Sequence, residues 1–535
     1  MMRTAVLSSS MVAVAAILLV VPRCASAATY YVDPKGEDAG PGTAVDKPFR
    51  TIGKAASLVG PGDTVLIAPG RYVERVTVAA SGTEKAPITF RGSGEGEVVL
   101  TTPQPDAAKW EEKYAFWVKS AKYVVVEGIA FKDCAAWILL DQSHYCTVRD
   151  CTFDGARIYN CSRINSGSNN RFLNCTFKYA IKREGFRTDG EWIPTPGADY
   201  IEIFRDSHAN LVEGCRFGEI NHVCVSISAV DPNRFKPSRN IVRNCTFTDP
   251  YWKSFWVHAG EHNVIEDCRS AGRSACFLQL ESGSTIIRRN LFAGYRDSTG
   301  GKPDITLRGA VRMQYSQSQH NRIYHNVFWD NDRTLTNNSF RWEVRDNVFQ
   351  NNIFFGNRQT VFLGFPEYRT KNRNYFLGNI MMGTKAGENL IRLEKDDYTL
   401  AEAQEKLPEL YRGNLEADPQ FVDAAKGDFR LKAGSPCIDR GLPLTTAKAA
   451  GNGRQIEVED AYWFFDGAGM IPGDLIVVGA GGPVRVVRVD YDKKVLELER
   501  EIAWNAKDAV TLPFAGKAPD IGAVEFPPAA GDKPR

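Results

Sequence analysis

One seven-residue phrase recurs along the chain and restricts the fold more than any other feature. It reads TVRDCTF at 147–153, RFLNCTF at 171–177, LVEGCRF at 211–217 and IVRNCTF at 241–247. It continues as VIEDCRS at 264–270, IIRRNLF at 286–292, RIYHNVF at 322–328 and EVRDNVF at 343–349. Between the marked Cys or Asn positions the steps are 24, 40, 30, 23, 22, 36 and 21 residues. A basal period with a few enlarged steps is what a solenoid shows when its rungs tolerate loop insertions.

Each phrase alternates apolar and polar residues, the period-2 pattern of a strand with one buried face. A second alternating segment lies between phrases: YIEIF at 200–204, VCVSI at 223–227, SFWVH at 254–258, CFLQL at 276–280 and AVRMQ at 310–314. No helical period separates the phrases, and Leu is not the repeating residue. Two or three short strands per rung of this length predict one coil of a parallel β-helix, an all-β fold. Cys151, Cys175, Cys215, Cys245 and Cys268 hold one position in successive rungs, which Asn290, Asn326 and Asn347 continue. Rungs stack about 4.8 Å apart, so these side chains are expected to form an inward column. An odd number of thiols and the absence of any CxxC pair favour packed free cysteines. Bridges between adjacent rungs are geometrically allowed.

Residues 1–27 read as a signal peptide: Arg3, an apolar stretch at 11–21, and Ala25-Ser26-Ala27 as the cleavage site. Eleven apolar residues are too few to span a bilayer. The mature protein is expected to be secreted or periplasmic, soluble and monomeric. A net charge of only +2 offers no strong field for nucleic acid or anionic membranes.

Residues 28–442 read as the β-helix, with a turn-rich entrance, a capping helix from about Thr51 to Val59, and rungs from about 88 to 380. A second short helix is expected at 400–410. The segments 417–441 and 519–526 read as closing strands of the last coil. Between them, 443–516 is rich in strands and Gly turns, and reads as a small β-barrel-like domain inserted there; 517–535 is the closing strand and tail. The opening DPKGEDAGPGT…KPFRTIGKAA…PGDTVLIAPGRYVE, the rung phrases and the closing GSPCIDRG…PDIGAVEF resemble right-handed β-helix proteins of the pectin-lyase-like superfamily. That resemblance implies the fold for nearly the whole chain outside the insert. The superfamily holds polysaccharide lyases, glycoside hydrolases, epimerases and members without assigned activity, so it does not select a reaction. The catalytic phrase of the chondroitinase B and alginate lyase group is absent, and no catalytic residue is carried over from it.

The enlarged steps point to the site. Loops at 178–199 and 293–310 leave the same corner, just before the YIEIF-type strands, with only short corners between them. Two walls about four rungs apart would leave a trough of roughly 19 Å. Long loops on one face of a solenoid ordinarily carry its function. If Ile201, Ile203, Val225, Ile227, Val257 and Leu280 face inward, Glu202, Ser226, Ser228, Trp256, His258, Gln279, Glu281, Arg312 and Gln314 face outward. The corners add His222, Tyr251, Trp252, Lys253 and Arg273. Aromatics beside carboxylates, amides and cations suit a carbohydrate.

A β-eliminating lyase needs a base for the proton α to a uronate carboxylate and a cation for the enolate charge. Lys253 or His222 fits the base, and Arg273 and Arg312 the cation, with His258 beside them. A hydrolase needs two carboxyl groups across the bond. Glu202 and Glu281 are available, but lie about three rungs, or roughly 14 Å, apart. Tyr251, Trp252, Trp256, Gln279 and Glu281 form the expected substrate surface. Each has an ordinary structural reading: outward Glu and Arg often form cross-rung ion pairs, and the aromatics could seal the insert against the coil. No metal-ligand spacing is present, so no metal site is assigned and no cofactor is required; calcium held by carboxylates from separate rungs is compatible with the sequence. Cations outnumber well-placed carboxylates, so a lyase on a uronate-containing glycan is preferred. A glycoside hydrolase and a non-catalytic carbohydrate-binding protein are the alternatives.

Overall fold

The computed structural model describes residues 27–103, 109–158, 160–180, 198–220, 222–248, 250, 252–272, 276–296, 309–313, 318–337, 344–363 and 373–527. Strands of two to six residues wind into three long sheets, here called A, B and C after the order in which each coil visits them. One coil, for example, runs through Thr147–Arg149 in A, Thr152–Ala156 in B and Asn160–Asn165 in C. Pairing within A and B is parallel throughout, and in C it turns antiparallel only at the final pair, where Ile391–Leu393 meets Asp396–Tyr398. Sheet A runs from Thr29–Val32 to Tyr411–Arg412, so the coils begin within the entrance segment and extend past residue 380.

The corner from A to B explains the recurring phrase. Asp150, Asn174, Gly214, Asn244 and Asp267 each adopt a left-handed backbone, with φ between 52° and 67°. Asn, Asp and Gly tolerate that conformation best. The following Cys turns inward. All five column thiols are buried and free, each donating weakly to backbone carbonyls, as Cys151 Sγ does to Arg149 O at 3.2 Å. Beyond Cys268 the column continues through Asn290, Asn326, Asn352, Asn379 and Asn414. Asn290 Oδ1 accepts the Cys268 N–H, and each later amide oxygen accepts the backbone N–H and the side-chain N–H of the preceding Asn, as between Asn290 and Asn326 at 2.9 and 3.1 Å. Asn347 does not belong to this column. It lies in a second ladder, Asn321–Asn347–Asn374, at the corner from C to A. Val348–Gln350 pairs with Arg322–Tyr324, so the true counterpart of RIYHNVF is VFQNNIF. Side-chain identity alone placed the last phrase five residues early; the hydrogen-bonded ladder fixes its register.

The helix at the entrance is shorter than expected, Ile52–Ala56. Thr51 caps it and Glu74 accepts the N–H groups of Ile52 and Gly53, while Ile52, Ala55 and Ala56 join the core of the first coils. The second helix spans Leu400–Lys406 with a capping box from Thr399 and Glu402.

The C-terminal part does not complete a coil. Phe421–Asp423 and Asp428–Leu431 form an antiparallel hairpin. With Ile521 and Phe526 it packs on Leu291, Val327, Ile353 and Ile380, covering the outside of sheet B. Between these segments lies a six-stranded antiparallel sheet spanning 445–511, which the Ala447–Val458 bridge closes on itself. Its Trp463, Phe464 and Phe465 cluster with Leu211, Ile241, Val264 and Ile286 on the outside of sheet A. Arg288 bonds Asp474, and Arg322 bonds Asp460 at 2.7 Å, across the same junction. With A and B covered in this way, sheet C is left with its own outer columns.

Candidate functional site on sheet C

The inward positions follow the alternation: Ile201, Ile203, Val225, Ile227, Val257 and Leu280 are all buried in the core. Three outward columns result. Asn160, Asp199, Val223, Lys253 and Cys276 pair in register along the first. Arg163, Glu202, Ser226, Trp256, Gln279 and Arg312 form the second. Asn165, Phe204 and Ser228 form the third, which the strand ends at His258 and Glu281 continue. These outward positions are far less accessible than an open trough floor would be: Glu202, Lys253 and Gln279 are each 5% exposed and Glu281 2%.

Two clusters divide the set. In the first, Glu202 accepts from Asn160 at 2.6 Å, Arg163 at 2.5 Å and Ser228 at 2.7 Å. The Arg163 guanidinium also lies 4.1 Å from the Phe204 ring centre. Burial pushes the Glu202 carboxyl up, and the Arg163 charge opposes that. Asn160 and Arg163 were absent from the sequence-derived site. The 24-residue step from Cys151 to Cys175 would have found them, because 160–165 is simply the C strand one coil before YIEIF.

The second cluster gathers around Trp256. Lys253 Nζ lies 4.9 Å from the Trp256 ring centre and 5.5 Å from that of Trp252. His222 meets Trp256 edge-on at 5.7 Å, and His258 lies 5.0 Å from it. His222 Nδ1 is 2.5 Å from Asp199 Oδ1, and Asp199 also accepts from Ser226 at 2.8 Å. Gln279 donates to Glu281, whose other oxygen is 3.7 Å from His258 Nε2. Burial lowers the Lys253 ammonium to about 8; the nearby Arg312 charge pushes the same way, against Cys276, Asp199 and Glu281. Burial also raises the Glu281 carboxyl, opposed by the hydrogen bond from Gln279 and the His258 charge. Lys253, His222, His258, Arg312, Trp252, Trp256, Gln279 and Glu281 thus share one neighbourhood. Glu202 stands apart: three register steps separate its row position from Gln279, about 14 Å.

Tyr251, Arg273 and Gln314 lie outside the described residues, as do 181–197 and 297–308 of the two long loops. Among the described residues no group of three or more His, Cys, Asp or Glu side chains is placed to hold a metal ion. Chemically the second cluster offers an amine that sheds its proton near neutrality, a guanidinium, an imidazole oriented by a carboxylate, and an aromatic wall.

The family described as Pel9A-like right-handed β-helix region matches residues 30–215, and the general right-handed β-helix region matches 235–390. This is a right-handed parallel β-helix protein. A protein of Bacillus subtilis, YwoF, is 34% identical to it over 103 residues, which is 19% of this chain and 22% of that one. Among solved structures the β-helix protein is similar to XylC in complex with xylose, with a TM-score of 0.44 and 11% identity over 90% of this chain and 99% of that one. Pectate lyase Pel9A gives a TM-score of 0.33 and 14% identity over 80% and 94% of the two chains. The catalytic domain of a GH87 α-1,3-glucanase, solved with tetrasaccharides, gives 0.45 and 12% over 66% and 65%. Two of these three are thus a pectate lyase and a glucanase.

Proposed function

We propose that this β-helix protein is a polysaccharide lyase acting on a uronate-containing glycan after export from the cell. The observation that carries the reading is the buried Lys253 ammonium, lowered to about 8 against Trp256 and Arg312. A base is most effective when its pKa lies near the working pH. In its neutral form the Lys253 amine takes the proton from the carbon α to the uronate carboxylate. Arg312 balances the charge that develops on that carboxylate. The electron pair then forms the ring double bond and expels the glycosidic oxygen, which takes a proton from His222, held toward it by Asp199. Trp252 and Trp256 offer the apolar faces on which sugar rings stack.

The test is to follow ultraviolet absorbance of the unsaturated uronate while the full-length mature protein meets a panel of uronate polysaccharides. Rising absorbance is expected. New reducing ends without absorbance would instead favour hydrolysis, for which the raised Glu281 carboxyl is the acid candidate. Retention on a glycan gel without either product would leave a binding protein.

A further inference from the structure

Past the Trp256 cluster, toward the C-terminal end, the same corner of the helix holds a cavity of about 290 Å³. It is lined by Arg333, Arg358 and Arg392, with Gln359, Asn389, Asp332 and Asp397 between them. The arginines come from three successive coils, ahead of or within the C strands Leu335–Asn337, Val361–Leu363 and Ile391–Leu393. Backbone bonds tie this corner to the cluster: Ala310 N–H donates to Arg333 O and Thr334 N–H to Gln359 O, each at 2.9 Å. Arg392 continues the row of Arg312 through Thr336 and Phe362. Three register steps set the two arginine backbones about 14 Å apart along the axis.

Among the described residues three guanidiniums face two carboxylates here, and Asp332, Arg333 and Arg392 each have further partners. Asp397 is engaged by Arg392 through two bonds, at 2.7 and 2.5 Å. The exposed Arg358 side chain makes no hydrogen bond or ion pair among the described residues. The Arg358 guanidinium in this concave, polar recess is suited to a carboxylate, which its fork binds through paired hydrogen bonds. Gln359 and Asn389 supply amide groups for hydroxyls.

We infer that this recess is a distal subsite that binds a carboxylate group of an acidic glycan lying along the solenoid axis from the Trp256 cluster, with Arg333 and Arg358 as its ligands. The inference rests on the uronate reading of that cluster, but is tested by binding rather than turnover. Uronate oligosaccharides of defined length are titrated into full-length Lys253→Ala protein, with and without Arg333→Ala and Arg358→Ala. Loss of one charge-assisted contact corresponds to about tenfold in affinity. For the alanine pair octasaccharide affinity is expected to fall at least about tenfold while disaccharide affinity is unchanged. Equal loss at both lengths, or no loss at all, would overturn the subsite. If the alanine pair lowers the unfolding midpoint, Arg333→Gln with Arg358→Gln takes its place. Length-dependent loss, when the protein with Lys253 intact makes no unsaturated product, would retain the subsite and remove the lyase reading. Unsaturated product without length-dependent loss would do the reverse.

Discussion

Lys253 is the residue on which the proposed chemistry turns, and its burial makes opposite predictions for activity and stability. As the base, it should give a lyase rate that climbs with pH to a plateau above its midpoint near 8. Lys253→Ala is expected to abolish product formation. Its folded pKa lies below the usual lysine value, so the native state binds fewer protons than the unfolded chain between about 8 and 10.5. Stability therefore rises with pH across that window, and below it the full cost of the buried ammonium remains. A shift of that size corresponds to about 3 kcal/mol. Lys253→Met should consequently raise the unfolding midpoint at pH 7 while removing activity; a lowered midpoint would mean the ammonium is well paired. Because Arg312 is assigned the charge balance, activity should survive chelation, and loss restored by calcium would transfer part of that role to a metal.

At the scale of elements, the corner columns hold successive coils in register. An Asn in a ladder satisfies two donors of one neighbour and donates to a buried carbonyl, as Asn326 does with Asn290 and Ile287. Asn326→Ala removes these bonds and leaves the buried Asn290 backbone N–H without its acceptor, at about 1–3 kcal/mol for each unsatisfied group. Urea unfolding should show a lowered midpoint with an unchanged slope. The cysteine half of the column has no such polar role. Its thiols are buried and free, and burial pushes those of Cys151, Cys175, Cys215 and Cys245 up. They should resist a thiol reagent until the protein unfolds, and reductant should leave the midpoint unmoved. A fast-reacting thiol in native protein would contradict the packed column.

At the scale of the molecule, the closed sheet at 445–511 acts as a cover for sheet A. Leu211, Ile241, Val264 and Ile286 would face water without it, and each buried aliphatic side chain contributes about 1.5–3 kcal/mol. Excising 443–516 with a short linker should give protein that aggregates or unfolds at much lower urea. Trp463→Ala, which keeps the domain, should destabilise while leaving glycan binding intact. Retained stability after excision, with glycan binding lost, would make the domain a sugar-contacting module instead of a brace.

The period of the phrases, the alternation within them and the left-handed tolerance of Asn, Asp and Gly at one corner are local properties, so the sequence carries them openly. They determined the parallel coils, the inward and outward sides of residues 201–280, and hence that Trp256, His258, Gln279, Glu281 and Arg312 share an outer face. Register between coils is a different matter, because it depends on which amide accepts from which neighbour. That is why Asn347 looked like a continuation of the cysteine column although Asn352 occupies it. Contacts across coils were equally hidden: Glu202 proved to be held by Arg163 from the preceding coil, away from the Trp256 group. The path of the C-terminal segments along sheets A and B also depends on apolar surfaces that exist only once the coils have stacked. Spacing along the chain sets what each residue can do alone. The folded solenoid decides which charges meet, because neighbours in a stack are a full coil apart in sequence.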